Sequence, residues 1–169
     1  MNVACPHARA GARPPALARL GALLLLAACG YAPVRGKPAS GLRVAAVKND
    51  TAQAEAGGIF STELRRELAG RNRLEPDSSA APELSAELTV LTSAPSGLGA
   101  EGGAASFRIS ARLYVQAGGF YDTLGGSEDY LVGVDILGTE ANRRAALRRL
   151  ARALAVEAIE RYDVSERMR

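Results

Sequence analysis

Histidine and cysteine are nearly missing from this chain. The one His is His7, and the two cysteines are Cys5 and Cys29. All three lie in the first thirty residues, a segment read below as an export signal. The body after it has no imidazole and no second thiol. Ser-His-Asp and Cys-His nucleophilic catalysis are therefore excluded. So are His- or Cys-ligated metal sites and internal disulfides. Trp is absent and aromatics are 5% of the residues. Lys37 and Lys48 are the only lysines among 21 basic residues, and neither has a sequence partner that would make it a general base. Net charge is lacking too. Arg9, Arg13 and Arg19 precede Cys29, and no acidic residue does; beyond it the remaining 18 basic side chains face 18 acidic ones. The formal charge of +3 thus belongs to the leading segment, and a nucleic-acid partner loses its electrostatic support. Carboxylate chemistry, Ser-Lys pairs and binding without chemistry remain. No cofactor is implied.

What is present begins with the leading segment. Its three arginines precede the apolar run Leu20–Leu26, far short of the roughly 20 residues needed to cross a bilayer. That pattern suits a signal peptide. Leu26-Ala27-Ala28-Cys29 follows and resembles the lipobox of bacterial lipoproteins. The resemblance implies cleavage between Ala28 and Cys29, with a diacylglycerol on the Cys29 sulfur and an acyl chain on the new amine. Two or more chains make a stable anchor. A plain secretory signal with an incidental Cys is the alternative. Residue Gly30 is not the Asp that marks inner-membrane retention in enterobacteria, so the expected location is the outer membrane, lipid-anchored on the periplasmic side. The organisation expected is a signal peptide over 1–28, a lipidated tether over 29–41, one domain over 42–162 and a tail over 163–169.

Within the domain, Leu42–Val47 is apolar on both faces and predicts a central strand, closed by the turn residues Lys48–Thr51. Phe60, Leu64 and Leu68 share one face of a helix over about 58–69, with Gly70 placed as its C-cap. Residues 83–92 alternate, with Leu84, Ala86, Leu88 and Val90 on one side. Phe107–Gln116 alternates more clearly. Phe120–Tyr130 is a weaker strand whose Gly125-Gly126 suggests a bulge. A long amphipathic helix over about 139–162, capped by Thr139, carries Leu147, Leu150, Ala151, Leu154, Ala155, Ala158, Ile159 and Tyr162 in one stripe. The order β-α-β-β-β-α predicts an α+β two-layer sandwich, with two helices packed on one face of a mixed four-stranded sheet.

Four motifs bear on chemistry. Gly97-Leu98-Gly99-Ala100-Glu101-Gly102 spells GxGxxG but leads into a strand, so no helix N-terminus awaits a pyrophosphate. It reads as a strand-strand loop. Asn49-Asp50-Thr51 fits a glycosylation sequon, but the turn reading is the plainer one. Asp122, Glu128, Asp129 and Asp135 are the one acidic cluster to test as paired carboxylates, and glycosidase chemistry lacks both an aromatic platform and room for a cleft. Arg143, Arg144, Arg148, Arg149 and Arg152 crowd the start of the last helix, where the helix dipole disfavours cations. They read as a solvated face or as a site for lipid phosphates or an acidic partner. Arg108 and Arg112 share the outward face of their strand and would extend such a surface. The candidate contacts are therefore Arg108, Arg112, Arg143, Arg144 and Arg148.

The ordered set resembles the LPS-assembly lipoprotein family, LptE. The carriers are Cys29-Gly30-Tyr31 with Arg35 shortly after, Val47-Lys48-Asn49-Asp50-Thr51, Leu64-Arg65-Arg66-Glu67-Leu68, Phe107-Arg108-Ile109 and Thr139-Glu140-Ala141-Asn142-Arg143-Arg144. Pro33 and the loose Gly97–Gly103 stretch depart from the family pattern. The resemblance implies a non-enzymatic plug and assembly partner of a large outer-membrane β-barrel, LptD, that helps deliver lipopolysaccharide to the cell surface. The alternative is an outer-membrane lipoprotein that binds and activates a periplasmic enzyme such as a peptidoglycan synthase.

Overall fold

The computed structural model describes residues 40–100 and 102–169. Ala28, Cys29 and the expected export signal lie outside the described residues. Two helices cover one face of a mixed sheet, as the alternation of elements predicts. The strands are β1 (Arg43–Val44), β2 (Lys48–Asn49), β3 (Glu83–Leu98), β4 (Ala104–Ala117) and β5 (Phe120–Leu131). The helices are α1 (Ala56–Gly70) and α2 (Ile136–Arg167). β1 and β2 both run parallel to β3, and β3, β4 and β5 form an antiparallel meander.

The central strand expected over 42–47 is instead a short edge strand at Arg43–Val44, and a second one forms at Lys48–Asn49 where a turn is expected, each pairing with β3 alone. The Val47 amide turns away from the sheet and donates to Ser61 Oγ on α1 at 2.8 Å. Ser61 in turn donates to the Gly57 carbonyl at 2.8 Å, so its hydroxyl replaces a ladder bond. Its neighbours on α1, Phe60, Leu64 and Leu68, are fully buried, as their spacing predicts. The helix runs through Gly70, and Asn72 reverses the chain instead. Asn72 has φ 54°, the Asn72 amide donates to the Ala69 carbonyl at 3.0 Å, and the Arg73 amide donates to the Leu68 carbonyl at 2.9 Å. That pair of bonds is the Schellman arrangement, with Asn in the left-handed position that glycine often takes.

The hairpin of β3 and β4 is longer than the alternation suggests, and the glycine-rich segment forms its tip. The Gly99 amide donates to the Gly103 carbonyl at 2.7 Å, and Gly102 has φ +81°. The register shifts between Leu88 and Val90. This bulge reverses the predicted faces beyond it: Val90 pairs with Arg112 on the open side, and Leu91 pairs with Ala111 on the helix side. In β5 the outcome is the reverse. Pairing with β4 is unbroken from Phe120 to Leu131, and no bulge occurs at Gly125-Gly126. The glycine at 126 answers packing: a Cβ there would sit 3.0 Å from Leu150 Cδ1 and 3.3 Å from Leu154 Cδ2.

The predicted stripe of α2, from Leu147 to Tyr162, is buried along its whole length. Its ends lie beyond the expected ones. Asp135 caps it, accepting from the Gly138 amide at 2.6 Å, and it continues to Arg167. Thirty-two residues at 1.5 Å each make a rod of about 48 Å. It returns antiparallel to β5, so Tyr162 meets Phe120 edge-on at 5.8 Å and Arg169 Nη1 donates to the Gly118 carbonyl. The core is one layer of Leu, Ile, Val and Ala between sheet and helices.

Candidate functional site

The five arginines expected at a contact surface fall on two opposite layers. Arg108 and Arg112 lie on the sheet face opposite to the one that α1 and α2 cover. Residues directly opposite across an antiparallel pair share a face, and Arg108 faces Asp129 while Arg112 faces Gly125. Arg108 binds Asp129 through two bonds of 3.0 Å. Those bonds, with the attraction of opposite charges, hold the Asp129 carboxyl below the usual range and the Arg108 guanidinium above its own. Both side chains are about half exposed, so water screens the pair. Arg112 is exposed and has no carboxylate partner among the described residues. Tyr114 and Tyr121 stand on the same open face, Tyr121 largely exposed.

Arg143 is placed inside the fold rather than on a free surface, with its side chain only 19% exposed. Its Nε and Nη2 donate to both Glu140 oxygens at 2.8 and 2.7 Å, and Nη2 donates to Glu55 at 2.6 Å. Its Nη1 donates to Gln53. Glu55 is the residue that precedes α1, so this guanidinium clamps the starts of both helices. Glu140 raises the Arg143 pKa most, through hydrogen bonding, with Glu55 adding to it. Glu140 is correspondingly lowered. Arg144 adds weaker bridges to Glu140 at 3.1 Å and Glu55 at 3.4 Å. Arg148 is exposed and has no carboxylate partner among the described residues. Of the five, the two with spare capacity, Arg112 and Arg148, thus sit on different layers and cannot serve one small ligand.

Asn49, Asp50 and Thr51 build the turn that the clamp grips. Asn49 Oδ1 accepts from the Thr51 amide at 3.2 Å and hydroxyl at 2.7 Å, and Asn49 Nδ2 donates to the Gln53 carbonyl at 2.8 Å. A Cβ on Gly57 would press on Asn49 and on the Val47 carbonyl, each at 3.1 Å. These residues shape the backbone.

The acidic cluster does not assemble. Glu128 binds Arg149 at 3.2 Å and Asp122 binds Arg161 at 2.7 Å, both toward α2. The hydrogen bond from Arg161 holds Asp122 below the usual carboxylate range. Six residues of strand separate them by about 20 Å. Asp129 faces the other side, and Asp135 is a helix cap. No two of these carboxylates face each other across a cleft. Among the described residues there is no group of His, Cys, Asp or Glu fit to hold a metal, and no helix long and apolar enough to cross a membrane.

Two features escape the sequence pattern. Arg73 and Asp163 form an ion pair that joins the end of α1 to α2, with Arg73 also donating to the Ser40 carbonyl at 3.0 Å and lying over the Tyr162 ring at 5.7 Å. They are 90 residues apart, so no local spacing reveals them. The second is a run of exposed apolar side chains from the end of β5 into the first turn of α2, which includes Leu131, Val134, Ile136 and Leu137. Its sequence signal is the density of large aliphatics in a turn.

A family model described as LptE, lipopolysaccharide-assembly, matches residues 39–161. No curated protein matches the chain. Among solved structures, the rare lipoprotein B from Shewanella oneidensis is 15% identical and has a TM-score of 0.52, covering 75% of this chain and 96% of that one. A minor lipoprotein from Acinetobacter baumannii is 14% identical with a TM-score of 0.43, covering 74% and 92% respectively. The first of these shows the same α+β fold.

Proposed function

This chain belongs to the LptE family of lipopolysaccharide assembly, and on that premise we propose that it is a lipid-anchored partner and plug of an LptD-type outer-membrane β-barrel. In this reading Cys29 carries the anchor, the periplasmic side of the outer membrane is the location, and the domain helps deliver lipopolysaccharide to the cell surface. It does so without catalysis.

The observation that carries the proposal is the extent of the family match, which begins at residue 39, ten residues after the lipobox Cys29, and runs nearly to the end of α2. The domain supports it physically. Its charges are mostly neutralised in ion pairs, Asp122, Glu128, Asp129 and Asp135 are each engaged separately, and the sheet offers a broad open face. Such a body suits shape-matched binding to a large partner. Within it Arg108 and Arg112 are candidate contacts on the sheet face, and Arg144 and Arg148 on the helix layer.

The test is a mild-detergent pull-down of the tagged lipoprotein from its own outer membrane, with partners identified by mass spectrometry. The expected result is one large β-barrel protein in equal amount, lost when Cys29→Ser removes the anchor. Recovery alone, or with a periplasmic synthase, refutes the partnership.

A further inference from the structure

The outer seam of the helix layer carries more positive charge than it neutralises. α1 and α2 lie side by side, joined by Arg143 and Glu55 at their starts, Arg152 and Glu63 midway, and Arg71 and Asp163 near their ends. Arg65 and Arg149 turn away from the seam, to the Val44 carbonyl and to Glu128. That leaves Arg66, Arg143, Arg144, Arg148 and Arg152 on its first stretch, against the three carboxylates of Glu55, Glu63 and Glu140. Glu63 is the pivot. Its side chain is 3% exposed, and its two oxygens accept from Arg66 Nη1 at 2.5 Å and Arg152 Nε at 3.4 Å. One buried carboxylate thus fixes two guanidiniums that are themselves more than half exposed, and it neutralises only one. Arg148 lies one turn before Arg152, has no carboxylate partner among the described residues, and donates through Nε to the Arg144 carbonyl at 3.4 Å. Arg144, Arg148 and Arg152 therefore form a row with steps of about 6 Å, about 12 Å in all. Like charges at that spacing weaken the helix that carries them.

The surroundings of the row select its occupant. A lipid headgroup brings acyl chains that need an apolar bed. Among the described residues no large apolar side chain is exposed on α1, or on α2 between Gly138 and Asp163. A free phosphate is held by donors that converge on one point, whereas these guanidiniums are strung along a helix. Carboxylates at every fourth position of a protein helix lie on one face and repeat at the same 6 Å or so. Each can then meet a guanidinium that the fold has already positioned, so little side-chain entropy is lost on docking. We propose that the seam of α1 and α2 docks an acidic helix of a protein partner, with Arg144, Arg148 and Arg152 along its length and Arg66 at its side. The surface calls for a charge pattern and not for a barrel, so this proposal stands or falls apart from the partnership above.

The probe is a fluorescein-labelled peptide of about 20 residues, long enough to be helical, with Glu at every fourth position and Ala or Gln elsewhere. A second peptide has the same composition with its glutamates in one block. Anisotropy reads the binding of each to the full protein purified in mild detergent. The expected result is tighter binding of the regular peptide, weakened by added salt. Arg148→Glu weakens it about tenfold, and a peptide with Lys in place of Glu then binds that variant better than it binds the wild type. Arg148→Gln with Arg152→Gln also weakens it while the melting curve holds, and Arg112→Gln, on the opposite sheet face, leaves it unchanged. If the double variant melts early, the reversal at Arg148, which has no carboxylate partner to lose, decides alone. Equal binding of the two peptides, an equal loss from Arg112→Gln, or no binding overturns the proposal. So does displacement of the peptide by dihexanoyl phosphatidylglycerol or inorganic phosphate at lower concentration than by unlabelled peptide, which makes the ligand a lipid headgroup or a free phosphate. None of these outcomes bears on the barrel, which the pull-down decides.

Discussion

Replacing Arg143 by Met separates a structural role from a contact role. The change keeps an aliphatic stem and removes every donor that Arg143 gives to Glu140, Glu55 and Gln53. Hydrogen bonds to charged partners contribute about 1.5–3 kcal/mol each when buried. The carboxylates left behind are about a third exposed and regain water, so the bonds do not add. We expect a net loss of about 2 kcal/mol, which in a domain of this size lowers the melting midpoint by roughly 7 °C. Arg148→Met is the control, since that side chain is exposed without a carboxylate partner among the described residues; its effect stays within about 0.5 kcal/mol. Thermal unfolding followed by circular dichroism measures both. The pH dependence supplies a second reading. Arg143 depresses the Glu140 pKa below its ordinary value of 4.5. A depressed carboxylate stabilises the fold above its unfolded pKa, and that stability is lost as pH falls through the folded value. The gap between wild type and Arg143→Met therefore holds steady from neutral pH to about 5 and narrows below 4.5. If Arg143→Met melts with the wild type but loses its partner, the clamp is not structural and the reasoning fails.

The remaining predictions concern the other joints of the fold. Asp163→Ala leaves the Arg73 guanidinium buried without its ion pair, so urea unfolding should lose about 3–5 kcal/mol, and a change below about 1 kcal/mol would mean the pair is idle. Asn49→Ala removes three bonds from the turn before α1 and should lose about 1–3 kcal/mol, together with faster amide exchange at Thr51 and Gln53; unchanged exchange there would show that the turn holds without it.

Elements with a strong local period were legible in the chain. The stripes of α1 and α2 and the alternation of β4 depend only on which side chains repeat on one face, and burial follows from that. The same holds for the family likeness, because short ordered motifs survive as letters. Other features have no local cause. The bulge at Thr89 flips the outer half of β3, so Leu91 packs inward against expectation. Gly126 reads as a strand breaker until Leu150 and Leu154 are seen to press on it. Arg143 reads as a surface cation because its spacing fits a polar face, and only the approach of Gln53 and Glu55 from 90 and 88 residues away encloses it.

By itself, then, the sequence determined the layer architecture, the core stripes, the lack of imidazole and thiol chemistry beyond Cys29, and a neutral body after the leading segment. These are set by composition and by periods of two and 3.6 residues. The tertiary structure alone decided which charges are spent inside the fold, which sheet face stays open, and that the aliphatics after β5 point outward. Such properties arise from contacts between residues far apart in the chain, where the energy depends on distance in space and no local pattern carries it.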